Sequence, residues 1–214
     1  MTKINRVGPF EIKVKREDIA RFLGYEKNQI PPRVLTMLED IEANAPKLLE
    51  PAAVYRTMTN DEYFHSHYVC HIGAIVVCLV TIGGKLEEVV NKYKLSGDLS
   101  HALILDSYGS AAAEAAAEAV ELIIREKIEE SGLKCSRRFS PGYGGWNVAE
   151  QKWIFAGLQG ETLGVRLTEG SMLVPRKSIT FAMTIGDQPV DMRDTEVCEY
   201  CGMVNCRFKH EDNA

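Results

Sequence analysis

Ile75 to Ile82 is a nearly continuous apolar run rich in β-branched residues. It lacks the polar alternation of a half-buried strand, so it reads as a strand buried on both faces. The glycine pair Gly83-Gly84 ends it. Lys85 to Tyr93 forms a helix, Ser96-Gly97-Asp98 a turn, and from Leu99 the sequence is helical again as far as about Ile128. The middle of that long helix holds Ala111, Ala112, Ala113, Ala115, Ala116, Ala117 and Ala119. Side chains this small raise helix propensity and let another backbone, or a flat ligand, come close. That face is expected to lie against a ligand-bearing loop.

The flanks carry weaker signals. Phe10, Ile12 and Val14 alternate with Glu11, Lys13 and Lys15, the period of a half-buried strand. Arg16 to Leu23 places Ile19, Phe22 and Leu23 on one helical face, and Gly24 is a natural stop. Pro31 and Pro32 open a second helix with Val34, Leu35, Leu38 and Ile41 as its buried stripe, and Pro46 ends it. Ala52 to Met58 reads as a strand. A chain of 214 residues is long enough for one well-buried core and short for two. We therefore expect one domain over 1–190, with its N-terminal strand and helices in 1–60, and a Cys-rich tail over 191–214.

The net charge of -5 leaves no basic stripe to displace phosphate counterions, which argues against nucleic acid as a partner. The longest apolar run, Ile72 to Ile82, is far below the ~20 residues needed to span a bilayer, and Met1 to Arg6 lacks a signal-peptide apolar region. The expected location is the cytoplasm, with no membrane partner.

Three groups of residues carry possible chemistry. In Arg137-Arg138-Phe139-Ser140-Pro141-Gly142-Tyr143-Gly144-Gly145-Trp146, a proline fixes one φ, glycines permit close backbone approach, and two arginines offer charged forks for a carboxylate or phosphate. This describes a cradle for a small anionic ligand, and equally a loop tightened for packing. Glu114 and Glu118 stand one turn apart in the alanine-rich helix, and like charges at that spacing are usually just solvated. For Glu114 the solvated reading is preferred. His65, His67, Cys70 and His71 suggest a metal site but read better as a polar loop or edge strand, since no fourth ligand at standard spacing is nearby.

The third group is the tail. Cys198, Cys201, Cys206 and His210 have the form C-x2-C-x4-C-x3-H, which could close a tetrahedral zinc shell beside the turn-forming Gly202. An iron-sulfur cluster is the rival, and it would need a fourth thiolate from Cys70, Cys78 or Cys135. In a reducing compartment such thiols are more often ligands than disulfides. A redox-active or incidental thiol cluster is the remaining reading.

The succession Arg138 to Tyr143, a short amphipathic run from Val148 to Leu158, Leu167-Thr168-Glu169, and Pro175 to Ser178 entering a strand through Thr184 resembles the AdoMet-binding activation domain of vitamin B12-dependent methionine synthase. Thr81-Ile82-Gly83-Gly84, Asp106-Ser107-Tyr108-Gly109-Ser110 and the helix through Glu118 are similar to the segments that precede the family's arginine motif. The resemblance covers roughly residues 75–185 and leaves out the tail.

The resemblance implies an α+β fold, a twisted and mainly antiparallel sheet flanked by helices. It implies that the chain binds S-adenosylmethionine and supports reductive methylation, the reactivation of cobalamin, on a separate methionine synthase or other corrinoid methyltransferase. Arg138 would clamp the AdoMet carboxylate, Ser140, Pro141 and Gly142 would shape the backbone cradle, Tyr143 would cap the ligand, and Glu118 would hold its polar end. Cobalamin would stay on the partner, because this sequence has no Asp-x-His-x-x-Gly corrinoid motif. The implied partners are a corrinoid-binding protein or methionine synthase core in trans and a low-potential electron donor such as flavodoxin or ferredoxin. Gly144-Gly145-Trp146 departs from the family's more usual Pro-containing continuation, and no downstream tyrosine or early aspartate completes the ligand shell. Two other classes stand beside this one: a corrinoid-protein interaction module without AdoMet chemistry, and a metal-dependent redox module.

Overall fold

The computed structural model describes residues 3–26, 29–59, 74–143, 146–159 and 161–189. Among these residues seven strands and five α-helices follow one another as β1 (Ile4–Val7), α1 (Arg16–Leu23), α2 (Pro32–Asn44), β2 (Ala52–Thr59), β3 (Ala74–Thr81), α3 (Lys85–Ser96), α4 (Leu99–Glu129), β4 (Lys134–Cys135), α5 (Gln151–Gly157), β5 (Arg166–Leu167), β6 (Leu173–Val174) and β7 (Ser178–Gly186). The main sheet has the order β1-β2-β3-β7-β4, every pair antiparallel, and β5 and β6 form a small separate ribbon. This is the expected α+β architecture, a mainly antiparallel sheet flanked by helices.

The run that opened the sequence reading becomes β3, central in the sheet and buried along almost its whole length. Alternate residues serve different layers. Val76, Cys78 and Val80 join Phe181 and Met183 of β7 in a cluster with α1 to α4, whereas Ile75, Val77 and Leu79 join Ala182, Trp146, Ile154 and Leu158 on the α5 side. Burial on both faces is therefore literal. It also explains why the strand shows no polar alternation.

Helix α4 runs for 31 residues, and 13 of them are buried, because it packs against β3, β4 and β7 as well as α1, α2 and α3. Ala112, Ala116 and Ala117 have no exposed surface. These alanines meet the sheet and the other helices, which corrects the expectation that they face a ligand-bearing loop. Ala115 and Ala119 are only half-buried. At Gly109 a Cβ would come within 2.6 Å of Leu86 Cδ2, so glycine is what lets α3 approach α4 there.

A second correction concerns the N-terminus. Strand β1 is Ile4–Val7, paired with β2, and the alternating stretch Phe10 to Val14 forms no strand. Phe10, Ile12 and Val14 still pack against the helical core, so the alternation reported burial on one side and not ladder pairing. Helix α1 ends at Gly24 with φ 83°, and α2 begins at the second proline, as the sequence indicates. Among the described residues, no helix is long and apolar enough to cross a membrane.

Cys78 lies fully inside the sheet, where burial pushes its thiol well above the ordinary range and the nearby Arg138 charge opposes only in part. The folded chain keeps a proton that the unfolded chain releases near pH ~8.5, so stability from this thiol is intact below that pH and falls above it. A thiol reagent at about pH 8 is expected to leave Cys78 unmodified until denaturant is added, because the thiolate is the nucleophile. Peptide mapping checks this, and prompt labelling of the folded chain would show that the helical layer opens.

Candidate functional site

The candidate site is built where the chain leaves β4 and crosses the end of the sheet. Phe139 pairs with Ala182 of β7 through an isolated bridge, its N–H and C=O both bonded at 3.0 and 2.8 Å. That anchor fixes alternate residues on opposite sides. Arg138 turns toward α4, while Phe139 packs with Trp146 on the α5 side, ring centroids 5.1 Å apart. Ser140 to Tyr143 then form a tight turn beyond the sheet.

The turn is closed from within. Tyr143 N–H donates to the Ser140 carbonyl at 3.2 Å, Gly142 N–H to the Trp146 carbonyl at 2.7 Å, and Trp146 N–H to the Tyr143 carbonyl at 2.9 Å. Gly142 has φ 97°, whereas its Cβ position is open to within ordinary contact of Val148 at 3.7 Å. Conformation, not space, calls for glycine here. Since the amides of Gly142 and Tyr143 are satisfied inside the loop, these residues contribute shape and not hydrogen-bond donors. Pro141 is buried, and Tyr143 is 63% exposed at the mouth of the turn.

Arg138 is held by two carboxylates of α4. Its Nη2 lies 2.8 Å from Glu114 Oε2 and its Nε 3.2 Å from Glu121 Oε2. The solvated reading of Glu114 is thus corrected: the carboxylate is paired. Glu118 lies between these two on the same stripe of the helix but is exposed, and among the described residues it has no hydrogen-bond or ion-pair partner. Glu121 also accepts from Arg125 Nη2 at 3.1 Å and from the Arg138 backbone N–H at 3.3 Å. Arg125 in turn donates to the Cys135 and Ser136 carbonyls at 2.9 and 3.1 Å, tying α4 to the β4 edge.

Sequence reasoning missed Glu121 and Arg125. The available signal was spacing: Glu114, Glu118, Glu121 and Arg125 recur at i, i+4, i+7 and i+11, one face of a helix. Within that face Glu121 precedes Arg125 by four, the favourable order for an ion pair.

The other motifs have local roles. Thr168 to Met172 form a turn closed by Ser171 N–H to the Thr168 carbonyl at 2.9 Å, with Ser171 at φ 60°. Buried Gln151 links this turn to the sheet, donating to the Ser171 carbonyl at 2.7 Å and accepting from the Thr180 hydroxyl at 3.1 Å. Ser178 donates to the Pro175 carbonyl at 2.8 Å and lies 2.9 Å from the Thr81 hydroxyl, which fastens the entry of β7 to the end of β3. From the Asp106 to Ser110 segment, Asp106 and Ser110 meet Lys177 Nζ at 3.0 and 2.8 Å. Burial pushes the Lys177 ammonium down and Asp106 partly restores it.

His65, His67, Cys70, His71, Cys198, Cys201, Cys206 and His210 lie outside the described residues. Among the described residues, no group of three or more His, Cys, Asp or Glu side chains is placed to hold a metal ion. Cys78 and Cys135, offered as remote fourth thiolates, are both buried and free, and burial raises the Cys135 thiol as well.

The fold, an antiparallel sheet with a long helix across one face, is similar to that of a reactivation domain of known structure. The particular likeness is to the crystal structure of the MetH reactivation domain bound to AdoHcy, at 17% identity with a TM-score of 0.56, over 71% of this chain. The match spans 64% of that chain. No family model matches this sequence, and no curated protein matches it.

Proposed function

We propose that this chain binds S-adenosylmethionine at the Arg138 loop and supports reductive methylation of cobalamin carried by a separate methionine synthase or other corrinoid methyltransferase protein. The observation that carries the reading is Arg138 itself, poised at the end of a reactivation-type sheet between a glycine turn and a stripe of helix carboxylates. The residues suit the ligand's amino-acid end. A guanidinium matches its carboxylate, and Glu118, which has no partner among the described residues, matches its ammonium. Tyr143, exposed beside the turn, offers a ring to cover the nucleoside, and Gly142 allows the chain to bend close to it.

S-adenosylmethionine supplies an activated methyl group, and this domain supplies its position. The cobalamin and a low-potential electron donor such as flavodoxin or ferredoxin belong to partners. A titration with S-adenosylmethionine, S-adenosylhomocysteine and cobalamin in turn tests the reading. Both nucleosides are expected to bind, and Arg138→Ala is expected to weaken them about ten- to a hundredfold, the loss of one charge-assisted pair. Equal affinity in the parent and in Arg138→Ala would remove the arginine clamp.

A further inference from the structure

We infer that Glu114 is a built-in competitor for the ligand's carboxylate, while Glu121 is a positioning residue that keeps Arg138 within reach of either, so that the site selects a zwitterion over a simple anion. This rests on the binding site proposed above and deepens it.

The two carboxylates hold Arg138 differently. The Glu121 side chain is 16% exposed and receives contacts from Arg138 Nε, the Arg138 backbone N–H and Arg125. It is fixed from three directions. Glu114 is 41% exposed and contacts Arg138 through Nη2 alone, at the more solvated end of the pair. An incoming carboxylate meets that end first, and an ion pair this open is readily exchanged. The guanidinium already has a carboxylate in place, so a ligand must replace it and cannot simply add to it.

Charge then decides which ligands can do so. The stripe places Glu114, Glu118 and Glu121 against Arg125 and Arg138, a surplus of one negative charge. A phosphate or plain carboxylate that displaced Glu114 would leave that residue and Glu118 without a cation beside an added anion. An α-amino acid brings its own ammonium to the carboxylates it displaces. S-adenosylmethionine adds a sulfonium as well.

Two probes and two variants separate the parts. S-adenosylmethionine and 5′-methylthioadenosine, which lacks the amino-acid end, are titrated into the parent, Glu114→Asp and Glu121→Gln. Aspartate keeps the charge but is too short to reach Arg138. Glu114→Asp is expected to bind S-adenosylmethionine about two- to fivefold more tightly, the scale of an exposed ion pair, with 5′-methylthioadenosine unchanged. Unchanged affinity for S-adenosylmethionine overturns the competitor role.

Glu121→Gln is expected to weaken S-adenosylmethionine about fivefold or more and to leave 5′-methylthioadenosine alone. It should also remove the slowly exchanging Arg138 Nε–Hε signal in nitrogen-15 NMR, a readout that needs no ligand and that Glu114→Asp preserves. Persistence of that signal in Glu121→Gln overturns the positioning role. If the signal behaves as expected but neither nucleoside binds any variant, the S-adenosylmethionine reading and the competitor role fall together, and Glu121 still stands as the residue that positions Arg138.

Discussion

Trp146→Ala is expected to lower the unfolding free energy by about 3–5 kcal/mol, the range for removing a large buried aromatic. Trp146 is 2% exposed and is among the largest fully enclosed side chains of the described residues. Its ring fills the space between Phe139, at 5.1 Å, and Trp153, at 6.1 Å, and its Nε1–H donates to Glu150 Oε2 at 2.7 Å. Alanine leaves a cavity that the loop cannot readily fill, and it removes the indole donor from the Glu150 carboxylate. The effect extends to the site, because Phe139 sets the side on which Arg138 emerges and Trp146 backs Phe139. Chemical denaturation with far-ultraviolet circular dichroism measures it. A shift below about 1 kcal/mol would mean that the aromatic trio is not part of the cooperative core.

Ala116→Leu is expected to cost about 3 kcal/mol, the upper part of the range for overpacking. Ala116 has no exposed surface and shares a cluster with Val76, Cys78, Phe181 and Met183, so added methylenes push α4 away from the sheet. The same substitution at half-buried Ala115 or Ala119 is expected to cost less than half as much. Leucine and alanine have nearly equal helix propensity, so a difference among the three positions reports packing alone. Equal midpoints for all three would show that α4 floats free of the sheet.

Much of this was legible in the chain. The β-branched run at Ile75 announced a two-sided central strand, the Gly24 stop matched the end of α1, and the alanines announced close approach. What they approach was not legible, because helix propensity and close packing favour the same residue. The Phe10 to Val14 stretch misled for a related reason: alternation reports which side is buried, and a chain can bury one side without entering a ladder. Of the site, Arg138 and its turn stood out by residue type. The carboxylates that hold the arginine did not, since Glu114, Glu118 and Glu121 look alike until the loop after β4 lies across α4, and only the tertiary contact singles out the two that pair with Arg138.

The bonds from Arg125 to the Cys135 and Ser136 carbonyls bear on self-association as well as on the site. Strand β4 is two residues long and sits at the end of the sheet order, the place where an exposed ladder ordinarily invites a strand from another chain. Here the carbonyls already accept from a guanidinium that is itself held by Glu121, so an invading strand would have to strip a charged donor from the edge before pairing with it. One residue of the acidic stripe therefore bears on two places at once: Glu121 steadies Arg138 and, through Arg125, the carbonyls at this border of the sheet.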